Sequence, residues 1–384
     1  MNKLKVMTCL GTRPEIIRLS RVMAVLDEHV EHVVVHTGQN WDDELNGLFF
    51  REMGVREPDH FLGVDVSSLG AVLGNILIGI EKVLIAEKPN AFLVLGDTNS
   101  AVAAIMAKRL RIPVYHMEAG NRCYDANVPE EINRRLIDHL ADFNLAYTEH
   151  ARRNLLGEGL EPRRVLVTGS PLREVLNHHR ESIAASTVLA DQGLKPGEYF
   201  VVSVHREENV DNPENLTSLL AALEALSTEY GFPILVSTHP RTRKRLDALG
   251  GRAPAGDIRF LKPFGYFDYN RLQRDCRCAV SDSGTISEES AMLGFPAVTV
   301  RRSIERPEAM DTGTIIVAGL SHGNILEAIA ATVAMYDAGR VPEVPVDYTV
   351  CNTAQRVLNL LLGTARQHHE WSGLSMPSGP SRDA

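Results

Sequence analysis

The chain contains HMEAGNR (His116–Arg122), followed closely by PEEINRR (Pro129–Arg135). Together these two segments predict a strand, a glycine turn and a helix, in that order. The apolar run Val114–Met117 predicts a buried strand, and Gly120 predicts a turn after it. Proline is tolerated in the first turn of a helix, because its missing N–H would have no intrahelical partner there. The two segments therefore predict one strand–loop–helix unit of an α/β domain.

The predicted helix carries apolar and charged residues on different faces. Ile132 and Leu136, with Leu140, recur at helical spacing and predict the buried face. Glu130 and Arg134 lie one turn apart on the opposite face. The charged residues near this end of the unit are Glu118, Arg122, Glu130, Glu131 and Arg134. Spacing alone leaves two interpretations open: ion pairs on a solvated helix, or a polar site.

The pattern of short apolar strand, polar turn and helix recurs along the chain. The predicted strands of a first series are Lys5–Leu10, Val33–His36, Ala91–Leu95, Val114–Glu118, Asn144–Tyr147 and Val165–Thr168. Those of a second series are Tyr199–Val204, Ile234–Ser237, Ala279–Ser281 and Ala297–Val300. Alternation of this kind implies parallel sheets covered by helices on both faces. We expect two doubly wound α/β domains that face a cleft, with ligands bound beyond the carboxyl ends of the strands.

Domain limits follow from the same pattern. The first domain is predicted over residues 1–172 and the second over residues 173–352. An amphipathic segment at about 353–367 predicts a last helix, and residues 368–384, rich in Ser, Pro and Gly, predict a flexible tail.

Composition restricts the class of protein. The 384 residues are 44% hydrophobic and 23% charged, as in ordinary globular proteins, and the net charge of −9 argues against a nucleic-acid surface. The five cysteines are scattered, and Cys276-Arg277-Cys278 is too closely spaced for a C-x-x-C site, so no metal site is predicted. We see neither a signal peptide nor an apolar run of membrane length, and predict a cytoplasmic protein without a membrane partner.

Two strand-to-helix turns are suited to anions. GTRPE (Gly11–Glu15) places Arg13 where anions gather, at a helix N-terminus. In SGTISEE (Ser283–Glu289), Thr285 and Glu288 have capping-box spacing, but N–H groups around the serine and glycine could still hold a diphosphate. A carboxylate at Glu289 could then accept hydrogen bonds from ribose. No turn carries G-x-G-x-x-G, which argues against a bound dinucleotide.

Three further positions have both a structural and a functional interpretation. His205, beside Arg206 at a strand end, is either a structural histidine or an acid that protonates a leaving phosphate. Asp97 either caps the following helix or serves as a general base. The charged loop ERPE (Glu305–Glu308) is either solvated or a second phosphate clamp.

Taken together, these motifs resemble one enzyme family. GTRPE (Gly11–Glu15), GDT (Gly96–Thr98), HMEAG (His116–Gly120), PEEINR (Pro129–Arg134), SDSG (Ser281–Gly284) and ERPE (Glu305–Glu308) look like the signature set of the non-hydrolysing UDP-N-acetylglucosamine 2-epimerases. The resemblance covers the chain except its tail, and six motifs in order are specific where one would be weak. It implies a glycosyltransferase-B-like fold of two Rossmann-like domains, a last helix that packs back on the first domain, and a homodimer.

The resemblance also implies a mechanism and a set of site residues. C2 of an N-acetylhexosamine can be inverted by elimination of UDP to a 2-acetamidoglycal and re-addition of UDP, which needs no cofactor. Matching motif positions makes Asp97, Glu118, Glu130 and His205 the catalytic residues. The residues expected to bind the UDP-sugar are Arg13, Arg18, Arg122, Arg134, Arg206, His239, Ser283, Gly284, Thr285, Glu289 and Arg306.

Some motifs resemble one branch of that family more specifically. IIRLS (Ile16–Ser20) and HTGQN (His36–Asn40) look like the branch that converts UDP-2-acetamido-2,6-dideoxy-L-talose to UDP-N-acetyl-L-fucosamine for surface polysaccharide. Arg18 stands where the UDP-N-acetylglucosamine branch has a lysine, and a group that stays protonated cannot be the base. Asn40 replaces a histidine of that branch's second substrate site, so activation by substrate is not expected.

Other functions stay open at this point. The first alternative is a UDP-N-acetylglucosamine 2-epimerase that gives UDP-N-acetylmannosamine. A hydrolysing epimerase would release free UDP, and a glycosyltransferase of the same two-domain plan would need an acceptor. A non-catalytic UDP-sugar-binding protein would turn nothing over.

Overall fold

A computed structural model describes residues 3–39, 43–248 and 255–374 of the chain. Its internal contacts divide the chain into two units. Unit 1 comprises Met1–Gly120, Ala126–Pro171 and Cys351–Ala384, and unit 2 comprises Asn121–Asp125 and Leu172–Val350. The short segment Asn121–Asp125 therefore groups with unit 2, although it interrupts the sequence of unit 1.

The sheet of unit 1 has seven strands, all parallel, in the order β3-β2-β1-β4-β5-β6-β7. These are β1 Lys5–Leu10, β2 Glu31–His36, β3 His60–Phe61, β4 Ala91–Leu95, β5 Val114–Met117, β6 Phe143–Ala146 and β7 Val165–Val167. The short edge strand β3 was not predicted. Every residue of β4, β5 and β6 is buried, as expected for a parallel sheet covered on both faces.

The helices of unit 1 cover this sheet. They are α1 Arg13–His29, α2 Asp43–Met53, α3 Leu69–Glu87, α4 Ala104–Arg109, α5 Pro129–Leu140 and α6 Glu149–Gly157, with 3₁₀ turns at Asn99–Ala103 and Pro162–Arg164. In α1, Ile16, Leu19, Val22 and Met23 recur at helical spacing and are all buried.

Helix α3 is a very apolar element. It is long and apolar enough to cross a membrane by length and composition alone, although Asn75, Glu81 and Lys82 interrupt its apolar run. Its residues Val72, Ile76, Ile80 and Leu84, however, recur at helical spacing and are buried in one core cluster with residues of the sheet. One face of α3 is therefore packed on the sheet, whereas Ile78 and Ile85 on another face are exposed.

Helix α5 reverses the predicted faces. Ile132 is 66% exposed and Leu136 is 46% exposed, whereas Glu131, Arg134 and Asp138 are buried. The prediction of an apolar buried face was therefore wrong for these two residues. The physical reason is that Arg134 pairs with Asp97, which follows β4, and Asp138 lies against His116 of β5, so the buried face of α5 holds charges beside the apolar Ile137.

The C-terminal helix α17, Thr353–Thr364, belongs to unit 1. It packs against α1, and its two ends are fixed by hydrogen bonds from Thr353 Oγ1 to the Thr168 carbonyl, 3.0 Å, and between Thr364 Oγ1 and the Tyr115 hydroxyl, 2.6 Å. The prediction of a flexible tail from residue 368 was wrong for its first residues, because His368–Trp371 forms the short helix α18 and His368 is buried. Residues 375–384 of that predicted tail lie outside the described residues.

Unit 2 contains a second parallel sheet of six strands in the order β10-β9-β8-β11-β12-β13. These are β8 Phe200–Ser203, β9 Ile234–Ser237, β10 Ile258–Leu261, β11 Cys278–Ser281, β12 Ala297–Thr299 and β13 Ile316–Val317. Phe200 and Val202 belong to the core on one face of the sheet, and Val201 to the core on the other. Both faces are therefore covered, as the apolar runs predict. The edge strands β10 and β13 were not predicted.

The helices of unit 2 complete its two outer layers. They are α7 Leu172–His178, α8 Arg180–Ala185, α9 Val188–Asp191, α10 Glu207–Val210, α11 Pro213–Tyr230, α12 Pro240–Ala248, α13 Tyr266–Asp275, α14 Ile286–Leu293, α15 Pro307–Asp311 and α16 His322–Asp337, followed by a 3₁₀ turn at Val346–Thr349.

Each sheet reverses its strand order once. In unit 1 the reversal lies between β1 and β4, and in unit 2 it lies between β8 and β11. Connections from two such strands leave in opposite directions, which opens a crevice at the carboxyl ends. The turns at these ends begin at Gly11 and Gly96 in unit 1 and include His205 and Asp282 in unit 2.

Gly120 is required by both its backbone angle and its surroundings. Its φ is +85°, and a Cβ added there would lie 2.3 Å from the Ala151 carbonyl oxygen.

We expect Gly120→Ala to lower the free energy of unfolding by about 3 kcal/mol or more. The alanine would be strained at this φ, and the backbone at Ala151 would also have to move to make room for its Cβ. Gly159→Ala is the matched control: φ is +88° with no atom within 4 Å, so about 1–2 kcal/mol is expected. Equal losses in urea denaturation would contradict the steric explanation.

Candidate active site

Glu118 follows β5 in unit 1 and is held by a buried arginine. Arg18 Nη1 of α1 lies 2.7 Å from Glu118 Oε2, and the Arg18 side chain is only 4% exposed. Arg18 also lies over the Tyr147 ring, 5.6 Å from its centroid. Glu118 has a φ of +65°, a left-handed conformation that is rarely used by a residue with a side chain. Strained residues of this kind cluster at functional sites, where they aim a side chain.

Asp97 follows β4 and is paired with α5. Its Oδ2 accepts hydrogen bonds from Arg134 Nε at 2.9 Å and from Arg134 Nη2 at 2.8 Å. Arg134 Nη1 lies 3.1 Å from Glu131 Oε2, which completes a buried charge network. The helical cap here is Thr98, whose hydroxyl accepts from the Ser100 N–H. Asp97 is therefore not the cap, and its carboxylate is partly exposed.

His116 contacts both the turn after β4 and helix α5. Its Nε2 lies 2.8 Å from the Gly96 carbonyl, and its Nδ1 lies 3.0 Å from Asp138 Oδ1 of α5. The Asp138 carboxylate also accepts from the Gly120 N–H at 3.2 Å. All of these groups are buried, so they fix the turns that carry Asp97 and Glu118.

The turn after β1 is organised by Glu15. Its buried Oε2 accepts from the Thr12 hydroxyl at 2.7 Å and from the Gly11 N–H at 3.1 Å. Gly11 has no room for a side chain, because a Cβ there would lie 2.0 Å from Thr37 Oγ1 and 2.4 Å from Ser100 Oγ. Arg13 begins α1 and lies over the Phe49 ring, 5.6 Å from its centroid.

Asp282 organises the corresponding edge of unit 2. It is fully buried directly after β11, and its carboxylate accepts from the backbone N–H groups of His205 at 3.0 Å and Arg206 at 2.8 Å. Asn209 Nδ2 donates to the same oxygen as these two, at 2.8 Å. The His205 ring lies 3.2 Å from Asp282 Oδ1, and its side chain is 43% exposed. A ligand can therefore reach an imidazole that the carboxylate orients.

Three guanidinium groups converge on Gly284. A Cβ added there would lie 3.1 Å from Arg306 Nη1 and 3.9 Å from both Arg206 Nη2 and Arg301 Nη1. Gly284 lies two residues before Ile286, where α14 begins, and the N-terminus of a helix favours anions. These groups suit a phosphate or diphosphate, which arginine binds through paired hydrogen bonds.

The acids near Gly284 position these arginines. Glu288 is buried and its Oε2 accepts from Arg306 Nε at 3.0 Å, so the predicted capping box between Thr285 and Glu288 does not form. Arg301 forms a bidentate ion pair with Glu305. The ERPE loop is thus not solvated, since Glu305, Arg306 and Glu308 are buried. Burial raises the pKa of the Glu308 carboxyl, which accepts a hydrogen bond from the Tyr348 hydroxyl.

The remaining predicted residues lie at several places. The Glu289 carboxylate accepts from Gln273 Nε2 at 2.9 Å. The His239 ring lies 5.9 Å from the His205 ring, and the Ser283 hydroxyl lies 3.0 Å from the Thr285 hydroxyl. Arg122 is buried in the segment that groups with unit 2.

Each unit thus gathers part of the predicted set. Unit 1 holds Asp97, Glu118, Arg13, Arg18, Arg134 and the half-buried Glu130. Unit 2 holds His205, Arg206, Arg122, His239, Ser283, Gly284, Thr285, Glu289 and Arg306. In the described parts of the chain, no three His, Cys, Asp or Glu side chains group as metal ligands. Asn40 lies outside the described residues.

Sequence reasoning missed several residues that position the site. These are Glu15, Asp138, Asp282, Glu288, Arg301 and Glu305. Glu15 and Asp282 lie in motifs quoted above. Each is an acid close to a glycine or serine turn at the end of a strand, and this is the sequence signal that could have identified them. Nothing in the spacing of Arg301 and Asp138 distinguishes them from surface charges.

Glu15 makes the stability of unit 1 depend on pH. Burial raises its pKa from 4.5 to about 7, against the hydrogen bonds from Thr12 and Gly11 that lower it. The fold favours the protonated form, so this contribution to stability is complete below about pH 4.5 and is lost as pH rises through about 7. Relative to Glu15→Gln, which does not titrate, the wild type should lose about 3 kcal/mol over this interval.

Denaturation of both proteins across this pH range tests the expectation. Glu57→Gln changes an exposed glutamate of the same unit and serves as the control. A constant difference between wild type and Glu15→Gln at all pH values would show that the carboxyl does not titrate in this range.

Comparison with known proteins agrees with the motifs. The family model described as UDP-N-acetylglucosamine 2-epimerase matches residues 24–362. The UDP-N-acetylglucosamine 2-epimerase of Methanocaldococcus jannaschii is 35% identical over 342 residues, which cover 85% of this chain and 91% of the relative. The UDP-2,3-diacetamido-2,3-dideoxy-D-glucuronate 2-epimerase of Pseudomonas aeruginosa is 32% identical over 330 residues, which cover 85% and 91%.

Solved structures show the same relationship. A UDP-N-acetylglucosamine 2-epimerase from Rickettsia bellii has a TM-score of 0.91 and 43% identity, over 96% of this chain and 99% of its own. The M. jannaschii UDP-GlcNAc 2-epimerase in complex with UDP-GlcNAc and UDP has a TM-score of 0.86 and 33% identity, over 94% and 100%. A spinosyn rhamnosyltransferase shares the fold alone, with a TM-score of 0.51 and 12% identity over 96% of this chain and 100% of its own.

The predicted architecture is therefore confirmed as two parallel-sheet α/β domains of the glycosyltransferase-B-like type. The family match covers most of the chain, and the relatives share its length. This chain belongs to the UDP-N-acetylglucosamine 2-epimerase family of isomerases.

Proposed function

We propose that the protein inverts C2 of a UDP-N-acetylhexosamine by eliminating UDP to a 2-acetamidoglycal and adding it back. The observation that carries this proposal is the convergence of Arg206, Arg301 and Arg306 on Gly284. Such a cluster stabilises the charge that develops on a departing diphosphate. His205, oriented by Asp282, assists this departure by protonating a phosphate oxygen.

The proton chemistry at C2 needs carboxylates. The C2 proton is poorly acidic because no carbonyl adjoins it, and departure of UDP leaves positive charge at C1 that acidifies it. We assign the acid and base roles to Asp97, Glu118 and Glu130. Arg18 stays protonated, so its role is to hold Glu118 at 2.7 Å. The route requires no redox cofactor, in agreement with the missing G-x-G-x-x-G motif.

The substrate is the finer part of the proposal. We infer UDP-2-acetamido-2,6-dideoxy-L-talose, with UDP-N-acetyl-L-fucosamine for surface polysaccharide as the product. This substrate is supported by the sequence around Arg18 and at His36–Asn40. A relative named for a diacetamido-dideoxy-glucuronate indicates that substrates differ within this group. UDP-N-acetylglucosamine, which would give UDP-N-acetylmannosamine, is the second candidate. A cytoplasmic location stays a prediction.

One assay separates these functions. The purified protein is incubated in D₂O with each UDP-sugar, and the anomeric and C2 signals are followed by NMR. We expect deuterium at C2, no net release of UDP, and faster conversion of the 2,6-dideoxy-L-talose substrate than of UDP-N-acetylglucosamine. Stoichiometric UDP release would indicate a hydrolysing enzyme, and binding without C2 exchange would indicate a non-catalytic binding protein. Loss of activity after removal of nicotinamide nucleotides would contradict the redox-free route.

Individual carboxylates can be tested by isosteric replacement. We expect Asp97→Asn, Glu118→Gln and Glu130→Gln each to lower kcat by about a hundredfold or more, the usual contribution of one acid–base group. UDP affinity, measured by calorimetry, should change little. The exposed Glu57→Gln should keep full activity. A variant with near-normal kcat would remove its residue from the mechanism.

We also propose that the protein is a homodimer formed through unit 1. Ile78 and Ile85 of α3 are 58% and 55% exposed and lie two turns apart on one helical face. Ile132 and Leu136 of α5 are exposed as well, and both helices pack on the 3₁₀ turn Asn99–Ala103. Exposed apolar side chains of this kind favour association, and a second copy presents the same surface.

Ile78→Lys tests the dimer. Placing a charge in an apolar interface should weaken association about a hundredfold or more, as measured by analytical ultracentrifugation. Val346→Lys makes the same change at an 83% exposed residue of unit 2 and should leave association unchanged. A wild-type monomer at micromolar concentration, or equal effects of the two variants, would contradict the proposal.

A further inference from the structure

A second cavity lies in unit 1, away from the carboxyl ends of the strands. It has a volume of about 500 Å³ and is lined by residues that precede β5, β6 and β7, together with α18. It therefore lies at the amino edge of the sheet, opposite the turns that carry Asp97 and Glu118. Its volume is typical of sites for small molecules.

The lining of this cavity is predominantly cationic. Four cations, Lys108, Arg111, Arg163 and Arg164, face two acids, Asp142 and Glu161, so two positive charges are in excess before the two lining histidines are considered. The protein as a whole has a net charge of −9, so this excess is local. An anionic ligand would compensate it.

The buried acid belongs to the floor of the cavity. Asp142 is 4% exposed, and its oxygens lie 2.6 Å from Lys108 Nζ, 3.0 Å from the Val114 N–H and 3.4 Å from both Arg164 Nη1 and His368 Nε2. These contacts satisfy the carboxylate within the protein. It fixes the surrounding cations and does not present a free negative charge to the cavity.

Two cations keep donors for a ligand. Lys108 uses one of its three N–H groups on Asp142 and is 40% exposed. Arg163 uses Nε on Glu161 and is 61% exposed, and its terminal nitrogens have no hydrogen-bond partner in residues 3–39, 43–248 and 255–374. An ammonium and a guanidinium are the groups that bind phosphate best.

The wall contains a strained backbone and an aromatic side chain. Arg111 has a φ of +62°, where glycine or asparagine would be less costly. Its carbonyl lies 2.8 Å from His369 Nε2, which holds α18 beside the cavity. Trp371 of α18 lines the same cavity and is 44% exposed. The left-handed angle of Arg111 belongs to the closing turn of α4, in which the Ile112 N–H donates to the Ala107 carbonyl at 2.9 Å and Arg111 is directed to the cavity wall. The exposed indole is explained if it contacts a ligand.

We propose that this cavity binds a phosphate monoester whose other end is a planar group lying against Trp371. The dianionic phosphate contacts Lys108, Arg111 and Arg163, and the planar group contacts the indole. The site is distinct from the one that holds the UDP-sugar, because its walls belong to the amino edge of the sheet.

Trp371 itself reports binding. The chain has two tryptophans, Trp41 and Trp371, so Trp41→Phe leaves a single indole beside the cavity. Phenyl phosphate, inorganic phosphate and potassium chloride of equal ionic strength are titrated against this protein, without and with saturating UDP. We expect a saturable change in emission with phenyl phosphate, weaker binding of inorganic phosphate, no saturation with chloride, and the same phenyl phosphate affinity with UDP.

Matched variants locate the signal. Arg163→Gln should weaken phenyl phosphate binding about tenfold or more, because one charged hydrogen-bonding group is lost. Arg152→Gln removes another arginine of unit 1 that pairs with a glutamate outside the cavity. Likewise, Arg111→Gly should weaken binding, whereas Lys88→Gly, which removes a cation at φ +48° outside the cavity, should not.

Three results would overturn the proposal. One is a response to phenyl phosphate that does not saturate or that chloride reproduces. Another is equal weakening by Arg152→Gln and Arg163→Gln. The third is competition by UDP, which would assign the signal to the nucleotide site.

Discussion

The reversal of strand order in each sheet is the constraint on which the site depends. At β1 and β4, and again at β8 and β11, the chain leaves neighbouring strands in opposite directions. Polar turns can gather there without burying unpaired backbone groups. Asp97 and Glu118, the acids that we propose for catalysis, follow strands of unit 1 at these carboxyl ends, and the arginines that we propose for phosphate binding follow strands of unit 2 in the same way. The fold thus supplies the location, and the turn residues supply the chemistry.

Each functional group in these turns is held by a buried partner of opposite charge or by backbone N–H groups. Arg18 holds Glu118, Arg134 holds Asp97, and Glu288 holds Arg306. An unpaired charge in these positions would be costly, whereas a paired one is fixed in direction. In the proposed mechanism, charges fixed in this way need not reorganise when the nucleotide departs, which is the general source of electrostatic catalysis.

Much of this could be predicted from sequence, and the limits have physical causes. The central strands were predicted because they are buried on both faces and read as apolar runs. The edge strands β3, β10 and β13 were missed because two to four partly exposed residues give no such signal. Helix α5 was oriented wrongly because hydrophobic periodicity assumes that the buried face is apolar, whereas Glu131, Arg134 and Asp138 bury charge there. Motif order led to the proposed catalytic carboxylates, but not to the buried residues that hold them.

The way in which Asp282 holds its neighbours has one more consequence. Its carboxylate accepts hydrogen bonds from the backbone N–H groups of His205 and Arg206, and only one of its contacts is with the His205 imidazole. The loop geometry is therefore largely independent of which side chain stands at position 205. Under the acid role proposed for His205, a substitution at this position would remove the acid and keep the backbone shape of the loop. One substitution would then separate a protein that binds a nucleotide sugar and converts it from one that only binds it.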